Sequence, residues 1–364
     1  MFSLHLSPEQ LEIRDTVRDF VAKEIKPAAL APARLEAFDR PLLAGLLEQA
    51  SRLGLRTLAL SEDAGGAGAD NLTCCIVTEE LAAGDPDIAA VLAHTAALAK
   101  ALERAMTPAQ RERLLTQFVG DERFHLALAE RGTAVAQDGS EWRLNGVASA
   151  VANATVAKLF VVQTRIHDGI GALLVPRDAA GVSVREQAGD WYHGSCGEVR
   201  FSNCRVPAGN LIGAEAKLRG IPPLPAISLG IGRAAYESAL DYARIRIQGG
   251  KPIIGHQAIA AKLAGIAIGL EVARAAVWRA AWASDHPEAV ADRSLPDLPL
   301  QSIAEAFAPE AVLRAVKDAA ECFGAMGVMR DMPLHKYVRD ARICLHSGDG
   351  SGGARLDLAA AITG

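Results

Sequence analysis

The chain is 364 residues long, 50% apolar and 22% charged, which suits two or three packed units and excludes a disordered chain. Its 38 Lys+Arg against 43 Asp+Glu leave a net charge of −5, excluding nucleic acid as the main partner, because phosphate binding needs a positive field. Aromatic residues make up only 5%, so the core must be built from Ala, Leu, Ile and Val, as in close-packed helices rather than a β-sandwich.

Ser7-Pro8-Glu9-Gln10 has the pattern of a helix start, with a capping box and a proline in the first position. Leu11, Val17, Phe20 and Ile25 follow on roughly one face, and Pro27 is expected to end the run. A second helix is predicted over about 41–53, stopped by Gly54, then a Gly-rich loop from Ser61 to Asp70. With no Gly-Lys-Ser/Thr behind it, that loop does not read as a phosphate cradle. Helices are predicted over about 71–83 and 87–104, and Thr107-Pro108-Ala109-Gln110 opens another.

Near residue 121 the period becomes that of strands. Phe124 to Leu128, Trp142 to Leu144, Leu159 to Gln163, Ala172 to Val175 and Val199 to Ser202 are short and β-rich. Asp138-Gly139 and Asn145-Gly146 mark turns, and Pro176 closes a strand. From about 221 the chain is helical again. Ile227, Ile231, Ala235, Ala239 and Tyr242 form one apolar stripe; Ile259, Leu263, Ile266, Leu270, Ala273, Val277 and Ala281 form a longer one. A Pro-containing linker is expected from Asp285 to Leu300, then a helix over about 303–323 with an irregularity at Pro309. The expected architecture is α+β and multidomain: an N-terminal helical domain over 1–120, a central β-barrel-like domain over 121–215, and a C-terminal four-helix bundle over 216–364.

The six cysteines include no C-x-x-C pair and read as reduced, mostly buried thiols, with no metal implied. His94, His193, His256 and His346 are each isolated from any Ser, Cys or metal partner and read as structural groups. No basic segment followed by an apolar one opens the chain, and no run approaches the ~20 apolar residues of a membrane span. A cytoplasmic protein with no membrane contact is expected.

Several ordered motifs resemble the acyl-CoA dehydrogenase family along essentially the whole chain. They are Leu6-Ser7-Pro8-Glu9-Gln10, the Gly-Gly loop Ser61 to Gly68, Thr78-Glu79-Glu80-Leu81-Ala82, Asn145-Gly146, and Asn210-Leu211-Ile212-Gly213. Arg246-Ile247-Gln248-Gly249-Gly250-Lys251-Pro252, His256-Gln257, Phe323-Gly324-Ala325-Met326-Gly327 and Arg339-Asp340-Ala341-Arg342 complete the set. The resemblance implies dimer or tetramer assembly and FAD-dependent oxidation of an acyl-CoA thioester to the enoyl-CoA. A carboxylate takes the α-proton and the flavin takes the β-hydride. Electron-transfer flavoprotein is the implied acceptor if the chain is catalytic.

By the same resemblance, Arg246 and Gln257 match the pair that reaches the FAD diphosphate of a neighbouring subunit. Gln248 and Gly249 stand where many members have a small polar residue and a Phe. At the adenine end Glu321 replaces a Gln, and Gly324 and Gly327 keep close-approach positions. The flavin shelf departs from the pattern. Ala129-Glu130-Arg131 replaces Thr-Glu-Pro, and Ala150-Val151-Ala152 replaces an aromatic, Ile, Thr; alanine cannot make the hydrogen bonds of those threonines. The position of the family base falls on Gly348, with Asp349 beside it as candidate base or simple turn residue, and the alternative base position, near Gly220, carries no acid. Three readings follow: a non-catalytic partner subunit sharing FAD with a second dehydrogenase-like chain, a self-sufficient dehydrogenase with Asp349 as base, or a flavin oxidase or desulfinase-type relative.

Overall fold

The computed structural model describes residues 5–36, 41–166, 169–187, 192–213, 218, 222–290, 299–347 and 350–363. Helix α1 (Pro8–Phe20) has the expected cap: Gln10 N–H donates to the Ser7 hydroxyl and Ser7 N–H to the Gln10 carboxamide, each at 3.1 Å. The helix does not stop at Pro27. A π-helical segment, Val21–Ile25, runs straight into α2 (Lys26–Ala29), with Lys26 N–H donating to the Val21 carbonyl. The wider turn keeps the chain helical around a proline that brings no N–H.

Helices α3 (Pro32–Glu36), α4 (Ala44–Arg52), α5 (Asn71–Gly84), α6 (Pro86–Ala105) and α7 (Pro108–Gly120) complete the first helical layer. Nearly all of α5 and most of α6 are buried, as expected of helices enclosed on several sides.

The β-region holds β1 (His125–Ala129), β2 (Thr133–Asp138), β3 (Glu141–Ala152), β4 (Ala157–Ile166), β5 (Gly169–Pro176), β6 (Val182–Glu186), β7 (Cys196–Pro207) and β8 (Leu211–Ile212). They form two four-stranded sheets, ordered β1-β4-β5-β8 and β2-β3-β7-β6. Trp142, Leu144, Phe160, Val162, Leu173, Val199 and Phe201 share the core between them. The barrel-like expectation therefore resolves into two facing sheets, with no closed barrel among the described residues. Strands β2 and β6 lie at sheet edges and are mostly exposed, so they lack the buried alternation that makes a strand readable.

The C-terminal part consists of α8 (Leu224–Ile245), the short hairpin β9 (Ile247–Gln248) and β10 (Lys251–Pro252), α9 (Gln257–Asp285), α10 (Leu300–Cys322), α11 (Pro333–His346) and α12 (Gly350–Thr363). Both apolar stripes point inward: Ile227, Ile231, Ala235 and Ala239 are buried on α8, and Leu263, Ile266, Leu270, Ala273, Val277 and Ala281 on α9. Pro309 does not interrupt α10, which runs through it with the ring buried. Packing of α10 against α8 and α9 offsets the lost backbone bond.

Polar groups tie the layers together. Glu80 of α5 accepts two hydrogen bonds from Arg18 of α1 and two from Arg233 of α8, while Arg274 of α9 holds Glu79. Asn153 donates from one amide to Val91 O, Thr95 Oγ and Leu126 O at 3.0–3.2 Å. His193 spans Asp87 Oδ1 and the Asp340 carbonyl, 3.0 Å from each. No helix among the described residues is long and apolar enough to cross a membrane.

Candidate functional site

Five of the six sequence-identified site residues gather at one end of the bundle. Arg246 caps the C-terminus of α8, its N–H donating to the Tyr242 carbonyl. The chain then turns through Gly249 (φ +61°) and Gly250 (φ +80°), which pair Gln248 with Lys251. A two-residue hairpin with positive φ at both centres requires such residues, which accounts for glycine at position 249. The Gln248 carbonyl lies 2.9 Å from His256 Nε2, fixing the hairpin against the start of α9, where Gln257 is the first residue. The α10 terminus meets this end through Phe323, whose ring stacks on Tyr242 at 4.1 Å. Gly324 follows at φ +60°.

Arg246, Gln248 and Gln257 are exposed, and neither Arg246 nor Gln257 has a side-chain hydrogen bond or ion pair among the described residues. Glu321 is exposed too, but its carboxylate is engaged by Lys262 of α9, whose ammonium the pairing raises above its ordinary pKa. Ile245, Ile247, Val328 and Met329 are exposed around the same end. Asp349, Gly348 and Gly220 lie outside the described residues.

The rim of the β-region is different. Ala129 ends β1 fully buried, Ala150 sits exposed at φ +55°, Val151 is buried, and Ala152 is half-buried. None carries a polar side chain. The Thr133 hydroxyl is buried without a partner, but it lies opposite Gly146, away from Ala150–Ala152.

A cavity of about 460 Å³ lies among α5, α6 and the N-terminus of α8, within the size range of small-molecule sites. Leu55, Leu58, Val77, Leu81, Leu92 and Ala226 form its apolar wall; Asn71, Lys100, Arg104, Ser284 and Gln301 reach it at one end. Cys74 and Cys75 also line it, and burial pushes both thiols up, Cys74 to about 12 and Cys75 further, leaving them inert thiols. Sequence reasoning missed this site. The available signal was the helical spacing of Ala93, Ala96, Ala97, Lys100, Ala101 and Arg104 on one face of α6. A second hollow, between β6 and β7, is lined by Arg185, Arg200 and Glu198; both arginines pair with Glu198, and the charges satisfy one another.

Models of the acyl-CoA dehydrogenase N-terminal, middle and C-terminal domains match residues 7–122, 125–204 and 223–361. An acyl-CoA dehydrogenase of Bacillus subtilis (strain 168) is 30% identical over 93% of this chain and 94% of its own length. The chain belongs to the acyl-CoA dehydrogenase family. In fold it is similar to butyryl-CoA dehydrogenase from Megasphaera elsdenii, with TM-score 0.87 at 24% identity over 100% of both chains. It is also similar in fold to PigA, solved as an FAD complex, with TM-score 0.85 at 19% identity over 100% of this chain and 99% of that one.

Tested against FAD, the two ends of this acyl-CoA dehydrogenase-family chain disagree. The Arg246 end fits a dinucleotide diphosphate, for which a free guanidinium is a natural partner. The aliphatic rim at Ala129, Ala150 and Ala152 offers the flavin ring no side-chain hydrogen bond.

Proposed function

We propose that this chain serves in the FAD-dependent oxidation of an acyl-CoA thioester to its enoyl-CoA as a divergent, non-catalytic subunit of a hetero-oligomer. Its Arg246 and Gln257 hold the diphosphate of FAD carried mainly by a second acyl-CoA dehydrogenase-like chain. One observation carries the reading: Arg246 is exposed and unengaged within its own chain, while the positions that would face a flavin ring are alanine. A subunit that lends its grip and no longer cradles a ring of its own needs that combination.

The apolar residues around Arg246 support a partner surface, since exposed clusters of this kind mark interaction sites. Within it, the guanidinium neutralises diphosphate charge, the Gln257 amide donates to a phosphate oxygen, and Gln248 and Gly324 shape the flanking surface. Glu321, held by Lys262, presents little free negative charge to the adenine end. FAD, when bound, supplies the hydride acceptor.

The test is purification of the chain alone and beside a second family member from the same cells. The chain alone is expected to be colourless. The pair is expected to bind FAD and oxidise acyl-CoA with electron-transfer flavoprotein as acceptor, and Arg246→Ala in this chain is expected to release the flavin. A yellow, active chain on its own, inactivated by Asp349→Asn, would overturn the partner reading in favour of a self-sufficient dehydrogenase. Oxygen consumption by a yellow chain without enoyl product would point to the oxidase or desulfinase-type chemistry.

A further inference from the structure

The chain entering β7 is fastened to two helices by one side chain. His193 is buried, its side chain 2% exposed. Its Nδ1 lies 3.0 Å from Asp87 Oδ1 in the first turn of α6, and its Nε2 lies 3.0 Å from the Asp340 carbonyl of α11. Gly194 N–H donates to the same Asp87 oxygen at 3.0 Å. Gly194 is at φ +83°, and a Cβ there would come within 3.2 Å of the Ala90 and Val91 side chains, so this backbone sits directly on α6. One residue on, the Ser195 hydroxyl accepts from Thr155 N–H at 3.1 Å and the Ser195 carbonyl accepts from Asn153 N–H at 2.6 Å. Cys196 then pairs with Ala152. His193 therefore seats on the helices the stretch of chain that pairs with the Ala150–Ala152 rim.

Both contacts of the ring need a proton. The Asp340 carbonyl can only accept, and Asp87 Oδ1 is already accepting from Gly194. Each imidazole nitrogen must therefore donate, which only the doubly protonated ring can do. The surrounding charges match that state. On the α6 side stand Asp85 and Asp87, with Arg34 of α3 3.8 Å from Asp85. On the α11 side stand the buried Lys336–Asp340 pair and the Cys344 thiol. Three cations (Arg34, Lys336 and His193) meet three carboxylates (Asp85, Asp87 and Asp340), so the cluster is balanced. Without the ring proton it would hold an excess buried negative charge, and a nitrogen lone pair would face one of the two oxygens.

We propose that His193 is a proton-dependent clasp: doubly protonated, it fastens the β-region to α6 and α11, and when rising pH removes a proton the chain entering β7 lifts from both helices. The neighbouring anchor behaves differently. Asn153, which donates to Val91, Thr95 and Leu126, has no titratable group and stays closed, so the opening is confined to the His193 side of the joint.

The test is hydrogen exchange of the full chain, in the assembly in which it purifies, followed by mass spectrometry from neutral pH upwards. The rate at each pH is divided by that of the unfolded peptide, which removes the chemical effect of hydroxide. Peptides covering 192–200 and 86–92 are expected to gain about tenfold in this ratio, the scale of one charge-assisted hydrogen bond. The centre of the β4–β5 pair is expected to stay protected and the helical circular dichroism unchanged. Asp87→Asn keeps an oxygen in place but removes the charge, and is expected to bring the onset to lower pH. A merely structural role for Asp87 would change the amplitude and leave the onset where it was. His193→Gln is expected to leave the joint loose at every pH, with no onset. Exchange in the unaltered chain that stays flat until the whole fold is lost would overturn the proposal, and that measurement needs no variant to fold. So would an Asp87→Asn onset at the unaltered pH, or an onset kept by His193→Gln, which would place the titrating group elsewhere in the cluster.

Discussion

The Arg246 end of the bundle and the rim of the β-region belong to one molecule and one family fold, yet they have kept different things. At the bundle end, the hairpin turn, the His256 contact and the Tyr242–Phe323 stack hold a cation and an amide in the open. At the rim, the sheets are fully built and well packed, but Ala129, Ala150 and Ala152 carry no side-chain donor. The difference teaches that a scaffold and its chemistry are separable: hydrophobic packing preserves the sheets whatever the rim carries.

The first way to break the comparison is to loosen the frame that joins the two regions. Lys336 and Asp340 form a buried pair at 2.5 Å, and the Asp340 carbonyl meets His193 of the β-region. Asp340→Leu strips the buried ammonium of its hydrogen-bonded partner and is expected to cost about 3–5 kcal/mol, read as a lower denaturant midpoint. If stability is unchanged, the pair does not hold the frame.

Next comes pH. His94 and His125 lie on α6 and β1, where the N-terminal helices meet the β-region, and burial lowers each from 6.5 to about 4. A histidine held neutral by the fold stabilises fully above its unfolded value. That contribution is lost as pH falls from about 6.5 towards about 4, at most about 3 kcal/mol for each. His193 works in the opposite direction: burial opposes its charge, but Cys344 and Asp87 outweigh it and raise the imidazole well above its ordinary value. Its contribution is present below that ordinary value and fades as pH rises through the raised one. Thermal midpoints measured across pH are expected to fall on the acid side, with His125→Gln flattening that limb.

A sharper comparison comes from the cofactor. Arg246→Ala is expected to weaken FAD retention by the assembled pair about tenfold, near the lower end for a charge-assisted contact, with the melting temperature of the isolated chain unmoved. A fall in that temperature instead would make Arg246 a structural residue. The smallest expected effect is at the rim. Ala152→Thr restores a hydroxyl and is expected to raise flavin retention by the chain only a few-fold, about 0.5–1 kcal/mol, because Ala129 and Ala150 remain apolar. Retention equal to that of a complete dehydrogenase after this one change would show that the rim was never the obstacle.

Much of the fold was legible in the chain. The α9 stripe from Leu263 to Ala281 is buried as its spacing required, and the capping box at Ser7 is formed. Pro27 was misleading, because sequence rules treat a proline as a stop and cannot see a π-turn that accommodates it. Strands β2 and β6 were missed because an exposed edge strand has no buried face to impose a period of two. The residues at Arg246 could be found from their motif; Lys100 and Arg104 could not be weighed without the fold, since two cations on a helix most often face solvent.

The sequence alone determined which segments become helices and strands and which family they belong to, because periodicity, caps and ordered motifs are local records. It also determined that alanine stands where the rim would need a hydroxyl. Tertiary structure decided which of these residues meet: that Lys262 engages Glu321, that His193 bridges Asp87 and α11, and that a cavity opens beside an Ala-rich face of α6 and ends at Arg104. Such meetings depend on how helices and sheets close over long stretches of chain, and no local pattern encodes a distance between side chains far apart in sequence.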